Sequence, residues 1–236
     1  MTLMAAPPSR TFARLTGAAY LCIAVFGGFA FFMVSEQLRA PGDAAATAAR
    51  IAADEPLFRA GLAAYMVTLG LDVLVAWMLF RLMRAADEPL ARLAAWLRLA
   101  YVCLHGAAVL QLPAILRVLD GGFAKQDPAF AAEMIQHHMQ AHLDGFMLSL
   151  MLFGAHLLAL GWLIIQSRIL PRVIGGLVML AGSAYLIDGF AFTLMTDYAA
   201  FYRATQTPIA MTAVIGEVSL LGWLLVRGTN SDAPDR

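Results

Sequence analysis

The sequence predicts an all-α polytopic membrane protein, a bundle of six transmembrane helices with short helices on its outer face. Three observations lead there. The chain is 61% hydrophobic and 14% charged, with a mean hydropathy of +0.73, whereas a soluble domain has about a quarter of its residues charged. Apolar runs long enough to cross the roughly 30 Å hydrocarbon core of a bilayer recur along its length. The third observation is the stretch 142–190, where two such runs, HLDGFMLSLMLFGAHLLALGWLIIQ and VIGGLVMLAGSAYLIDGF, flank the hinge SRILPR. Two arginines and a proline in six residues suit a helix–helix turn at a membrane surface.

Taken in order, hydropathy places the spans at about 12–34, 57–80, 96–118, 143–166, 171–194 and 206–227. The first follows Arg10 and Arg14, but its apolar run is longer than a signal-peptide core and no A-x-A-like site follows, so it reads as a retained helix. The two longer outer connections, 35–56 and 119–142, contain helix-compatible stretches. Asp43 and Asp127 are placed to cap them, with Pro128 at the favoured first helical position. They read as surface helices over the bundle. Pro113 predicts a kink in the third span and open space near Gln111. Gly27, Gly28, Gly154, Gly161, Gly175, Gly176 and Gly182 suit close helix approach. Trp77, Trp96, Trp162 and Trp223 fall toward the inner ends of their spans, as an interfacial belt does. No linker divides the chain, so 1–236 reads as a single membrane domain.

Sixteen basic and sixteen acidic residues give zero formal charge, so no long-range field recruits nucleic acid. Counting Arg and Lys by face gives ten inside (Arg10, Arg14, Arg81, Arg84, Arg92, Arg98, Arg168, Arg172, Arg227 and Arg236) against six outside (Arg39, Arg50, Arg59, Arg117, Lys125 and Arg203). This bias predicts a multi-pass protein with both termini cytoplasmic, and a single lysine, Lys125, among sixteen basic residues suits a GC-rich bacterial genome and hence a bacterial inner membrane. Cys22 and Cys103 lie in apolar runs and form no C-x-x-C pair. They read as small buried side chains rather than as a disulfide or zinc ligands.

Ionisable groups inside the spans are the candidates for chemistry, because lipid makes them costly. At 1.5 Å per helical residue from the nearest inner arginine, Asp72 lies about 13 Å deep and His105 about 10 Å, with His156 and Glu217 at roughly 15–18 Å. On this reading two imidazoles and two carboxylates on four helices share one layer. Interhelical pairing of an acid with a histidine would satisfy them. A divalent metal held by His105, His156 and Glu217, or a haem between His105 and His156, is compatible with the ligand types but not required by them. Nearer the outer face, His138 and His142 share a helix face and form a weaker metal pair, which lacks the Glu of H-E-x-x-H. Asp188 lies deep in span five and needs a partner, with His142, Tyr185 or a backbone donor the candidates, whereas Asp144 at the start of span four can reach water.

Several segments are specific as a set: HLDGF, LFGAHLLALGWLI, S-R-I-L-P-R and GGLVMLAGSAYLID in the hairpin, FRAGL and LDVLVAWMLFRLM around span two, LARLAAWLRLAYVCLHGA entering span three, and GEVSLLGWLLVRG at the end. From about 51 to 228 the chain resembles the bacterial "domain of unknown function 4386" family of six-span membrane proteins. The resemblance implies a six-helix integral membrane protein and carries over no catalytic residue. Three expectations remain: binding of a small or lipidic ligand or a partner through the buried polar layer, a membrane-embedded metal or haem enzyme using Asp72, His105, His156 and Glu217, or a small transporter acting as an oligomer. No Walker loop, nucleophile elbow, G-x-G-x-x-G or S-x-x-K appears.

Overall fold

The computed structural model describes residues 9–229. Among them all regular secondary structure is helical, with no strand. Helix α1 (Arg10–Ala30) continues as a π-helical stretch (Phe31–Gln37), followed by α2 (Ala44–Ala53), α3 (Glu55–Met83), α4 (Glu88–Val109), α5 (Gln111–Asp120), α6 (Phe123–Gln126), α7 (Pro128–Ser167), α8 (Arg172–Leu194) and α9 (Tyr198–Val226). Six stretches are long and apolar enough to cross a membrane: Arg10–Gln37, Glu55–Met83, Glu88–Asp120, Pro128–Ser167, Arg172–Leu194 and Tyr198–Val226. The chain is an all-α polytopic membrane bundle.

The caps expected at Asp43 and Asp127 are present. Asp43 Oδ1 accepts from the Ala46 amide at 2.8 Å and Asp127 Oδ1 from the Phe130 amide at 3.0 Å. The helix that opens at Pro128 is not a separate surface element, however. It runs on for 40 residues as α7 and includes the fourth span. Between His142 and Phe146 Gly145 is the weakest helix former, and one glycine costs too little to end a long helix. The third span is interrupted as Pro113 predicts. Proline has no N–H for the carbonyl four residues back, so α4 stops at Val109 and α5 starts at Gln111. The space expected beside Gln111 is filled, because its Oε1 lies 2.9 Å from His138 Nδ1.

The described chain falls into two compact units: residues 9–21, 72–101 and 150–229 in the first, and 22–71 and 102–149 in the second. In the first unit the α7–α8 hairpin turns through Arg168, in the left-handed region at φ 57°, and Pro171. Its two helices meet backbone to backbone at two glycine pairs. A Cβ added at Gly161 would stand 2.6 Å from the Gly175 carbonyl oxygen, and one at Gly175 would stand 2.6 Å from the Gly161 oxygen. Gly154 and Gly182 repeat this reciprocal contact at 2.7 and 2.6 Å. Seven residues separate the glycines on each helix, so both pairs fall on one antiparallel seam, with Leu157, Leu160, Leu163 and Val178 buried alongside. Helix α9 joins the same way, Gly216 lying against the Leu177 carbonyl.

The second unit packs Val34, Ile51, Phe58, Leu112, Ile115, Ile135 and Met139 into a continuous apolar core. Gly61 admits the Val34 side chain from the π-helical stretch.

Three expectations need correction. Gly28 and Gly176 meet no neighbour within 4 Å and support no close approach. Cys22 and Cys103 are exposed, not buried. A thiol is apolar enough to face acyl chains, so an apolar run does not imply an inward position. Arg98 does not belong to a membrane face, since it is fully buried within α4. Arg236, counted with it, lies outside the described residues. Trp77, Trp96 and Trp162 are exposed, as a belt requires, whereas Trp223 is half-buried with its indole nitrogen enclosed.

The glycine seam predicts a paired result. Gly175→Ala forces a methyl against the facing carbonyl and costs about 1–3 kcal/mol by overpacking. Gly176→Ala meets open space and is neutral, or stabilising by up to about 1 kcal/mol through helix propensity. Thermal unfolding of the two variants in detergent measures the contrast.

Candidate functional site

Helix α4 opens at Glu88 and brings Arg98 into the middle of the first unit. The guanidinium engages three other helices. Its Nε donates to Asp72 Oδ1 on α3 at 3.0 Å, and Nη2 donates to the same oxygen. Nη1 donates to Tyr20 Oη on α1 at 2.5 Å and reaches His156 Nε2 on α7 at 3.3 Å. The Tyr20 and Phe153 rings cover its faces, with centroids 4.7 and 5.2 Å from Cζ.

A guanidinium has only donors, so His156 Nε2 must accept. The proton of this imidazole therefore sits on Nδ1, which donates to the Ala94 carbonyl at 2.8 Å. His156 is thereby held neutral, in one tautomer, as a bridge from α7 to α4. Both Arg98 bonds to Asp72 fall on a single oxygen, and Asp72 Oδ2 is buried with no hydrogen-bond partner among the described residues.

Two more polar pairs tie α8 to α9 in this unit. Tyr185 Oη donates to Glu217 Oε1 at 2.8 Å, and Tyr198 Oη donates to Asp188 Oδ1 at 3.0 Å. The approach of α9 at Gly216 sets Glu217 beside α8. Asp188 is buried and does have a partner, as its depth in span five suggests, but the partner is Tyr198 rather than His142, Tyr185 or a backbone group. Asp144 is half-buried and accepts from Gln140 Nε2 at 2.7 Å, one turn earlier on its own helix.

The second unit holds a different group. His105, His142 and Tyr65 are buried, beside a half-buried Phe146. The His105 ring centroid lies 5.6 Å from Tyr65, 6.4 Å from His142 and 4.8 Å from Phe146. Tyr65 Oη lies 3.1 Å from Ser35 Oγ in the π-helical stretch. His142 Nδ1 lies 3.2 Å from the Ala108 carbonyl oxygen, which can only accept, so Nδ1 carries the proton.

The four-helix layer expected from residue depth is thus divided. Asp72, His156 and Glu217 belong to the first unit and His105 to the second. Neither acid is bonded to a histidine: Asp72 pairs with Arg98, and Glu217 with Tyr185. Among the described residues no group of three or more His, Cys, Asp or Glu side chains is arranged to hold a metal ion. His156 and Glu217 lie in one unit and His105 in the other, and His138 and His142 are separately engaged by Gln111 and Ala108. The residue that organises the site, Arg98, is absent from the sequence-derived candidates, as is Tyr20. The available signal is AAWLRLAYVC, an arginine with apolar neighbours on both sides, which suits a buried counter-ion better than an interfacial anchor.

Comparison with known proteins adds family membership. The chain is 26% identical over 161 residues to an uncharacterized protein of Archaeoglobus fulgidus, covering 67% of this chain and 77% of that protein. No solved structure matches the chain. The family model described as "Domain of unknown function (DUF4386)" matches residues 15–228, spanning both polar groups, and the chain belongs to that family.

Proposed function

We propose that the protein binds a small or lipidic ligand within the membrane, at the edge of the polar network in its first unit. The observation that carries this reading is the position of Glu217. Its side chain as a whole is half-buried in a spanning helix, and its Tyr185 partner is neutral. Val214, one turn earlier, and Val218, the next residue, are exposed at 60% and 53%. A carboxylate bordering such an apolar surface is expensive and marks a functional position by default. The rest of the network favours binding over turnover. His156 has both nitrogens committed, so it is not free to act as a general base.

Organic extraction of the purified protein followed by mass spectrometry tests this. The wild type should retain a compound at about one per chain, and Glu217→Gln should lose most of it. Equal retention by both proteins, or none by either, contradicts the reading.

We also place both termini on the cytoplasmic side of a bacterial inner membrane. Removing buried Arg98 from the inner-face count leaves nine basic residues against six, so the bias survives. A reporter fused after Arg227 should be active only in its cytoplasmic form; periplasmic activity reverses the topology.

A further inference from the structure

The end of α3 carries positive charge without a counter-ion. Arg81 and Arg84 stand three residues apart, hence side by side on the helix surface, and both are half-buried. Among the described residues neither guanidinium forms an ion pair. The acids in the connection to α4 are already engaged. Asp87 Oδ1 accepts from the Leu90 amide at 2.9 Å, and Glu88 Oε1 accepts from Arg92 Nη2 at 2.5 Å. Like charges at this spacing repel, so the pair favours an anion that bridges it.

The Arg81 head is also held in place. Its Cζ lies 5.5 Å from the Trp77 ring centroid, one turn earlier on α3, and 5.9 Å from that of Phe12 on α1, the two rings meeting edge to face. Its Nε is enclosed and has no acceptor. An arginine that stretches its head to water accounts for wet Nη groups but not for an enclosed Nε. Trp77 is 49% exposed, as an indole of the interfacial belt is, so the guanidinium packed on its ring lies at headgroup depth.

From the uncompensated pair, the enclosed Nε and this depth we infer a binding site for an anionic phospholipid at the end of α3. The phosphodiester accepts from Nε and one Nη of Arg81, the side-on fork that a guanidinium offers a phosphate, and from Arg84. A phosphatidylcholine head carries its own ammonium and brings no net charge. A phosphatidylglycerol head brings one negative charge to two cations that lack any. Neither Glu217 nor Tyr185 takes part, so the inference does not depend on the ligand reading of Glu217.

The test offers the delipidated full chain, in neutral detergent, equal amounts of phosphatidylglycerol and phosphatidylcholine with identical acyl chains. Native mass spectrometry counts the lipid retained. The wild type should keep one phosphatidylglycerol per chain with about a tenfold preference. Arg81→Gln should abolish the preference, and Arg81→Lys should reduce it, because a point charge lacks the fork. Arg84→Gln should reduce it while leaving the ring clamp intact, which decides the matter if Arg81→Gln does not fold. Arg92→Gln removes a cation already paired with Glu88 and should change nothing. Equal retention of the two lipids by the wild type overturns the inference. So does a loss in Arg92→Gln equal to that in Arg81→Gln or Arg84→Gln, which would show only the general attraction of a positive face. Displacement of the lipid by millimolar inorganic phosphate overturns the lipid assignment and gives the site to a soluble anion.

Discussion

A guanidinium with no exposed surface dictates the arrangement of the first unit. Arg98 cannot be left uncompensated in that interior, so every group around it is constrained by what a planar, donor-only cation accepts. Asp72 supplies the countercharge from α3, Tyr20 an oxygen from α1, and His156 a lone pair from α7. Each constraint propagates. Because His156 must present a bare Nε2, its Nδ1 carries the proton and seeks an acceptor, which α4 provides at Ala94 one turn before Arg98. Four helices are therefore held by one side chain and by groups whose protonation it fixes. Such a network is poor evidence for stability against an apolar replacement, but it specifies which helices meet and in what register.

The remaining helices of that unit are fixed by shape. The reciprocal glycine contacts let α7 and α8 approach until their backbones touch, and Gly216 extends the arrangement to α9. In lipid, where no hydrophobic drive separates helix from solvent, close van der Waals contact of this kind is a main source of association. One consequence bears on function. With α9 drawn against α8 at Gly216, the next residue, Glu217, lies within reach of Tyr185, while its neighbours Ile215 and Val218 remain exposed. The same packing that closes the hairpin leaves a carboxylate beside an apolar surface.

What was legible in the sequence follows from the range of the interactions. Hydrophobic runs of bilayer length, the Asp43 and Asp127 caps and the interruption at Pro113 are local, and each appears near its expected position. Glycine pairing was legible as composition, but partners were not: nothing in the sequence separates Gly175, which touches Gly161, from Gly176, which touches nothing. The candidate layer was drawn from depth alone. Depth found Asp72, His156 and Glu217, but the depth of His105 was counted from Arg98, which is bonded to Asp72 and His156 rather than placed at a face; His105 lies two turns, about 10 Å, farther along α4 and packs with Tyr65 and His142 in the other unit. Arg98 was missed because it lies near the predicted start of span three and was counted as a face residue. Its burial depends on Asp72, 26 residues earlier, and on Tyr20 and His156, which are farther still.

The central claim is that Arg98 and Asp72 act as one buried unit, and a double-mutant cycle measures it most directly. The quantity is the unfolding free energy in detergent of Arg98→Met, Asp72→Leu and the double variant. Each single change leaves one charge buried without its counter-ion and should cost about 3–5 kcal/mol. The double change removes both charges and should cost far less than the sum, giving a coupling of about 2 kcal/mol or more. Additive effects, or single changes worth less than about 1 kcal/mol as for a solvated pair, would contradict the account.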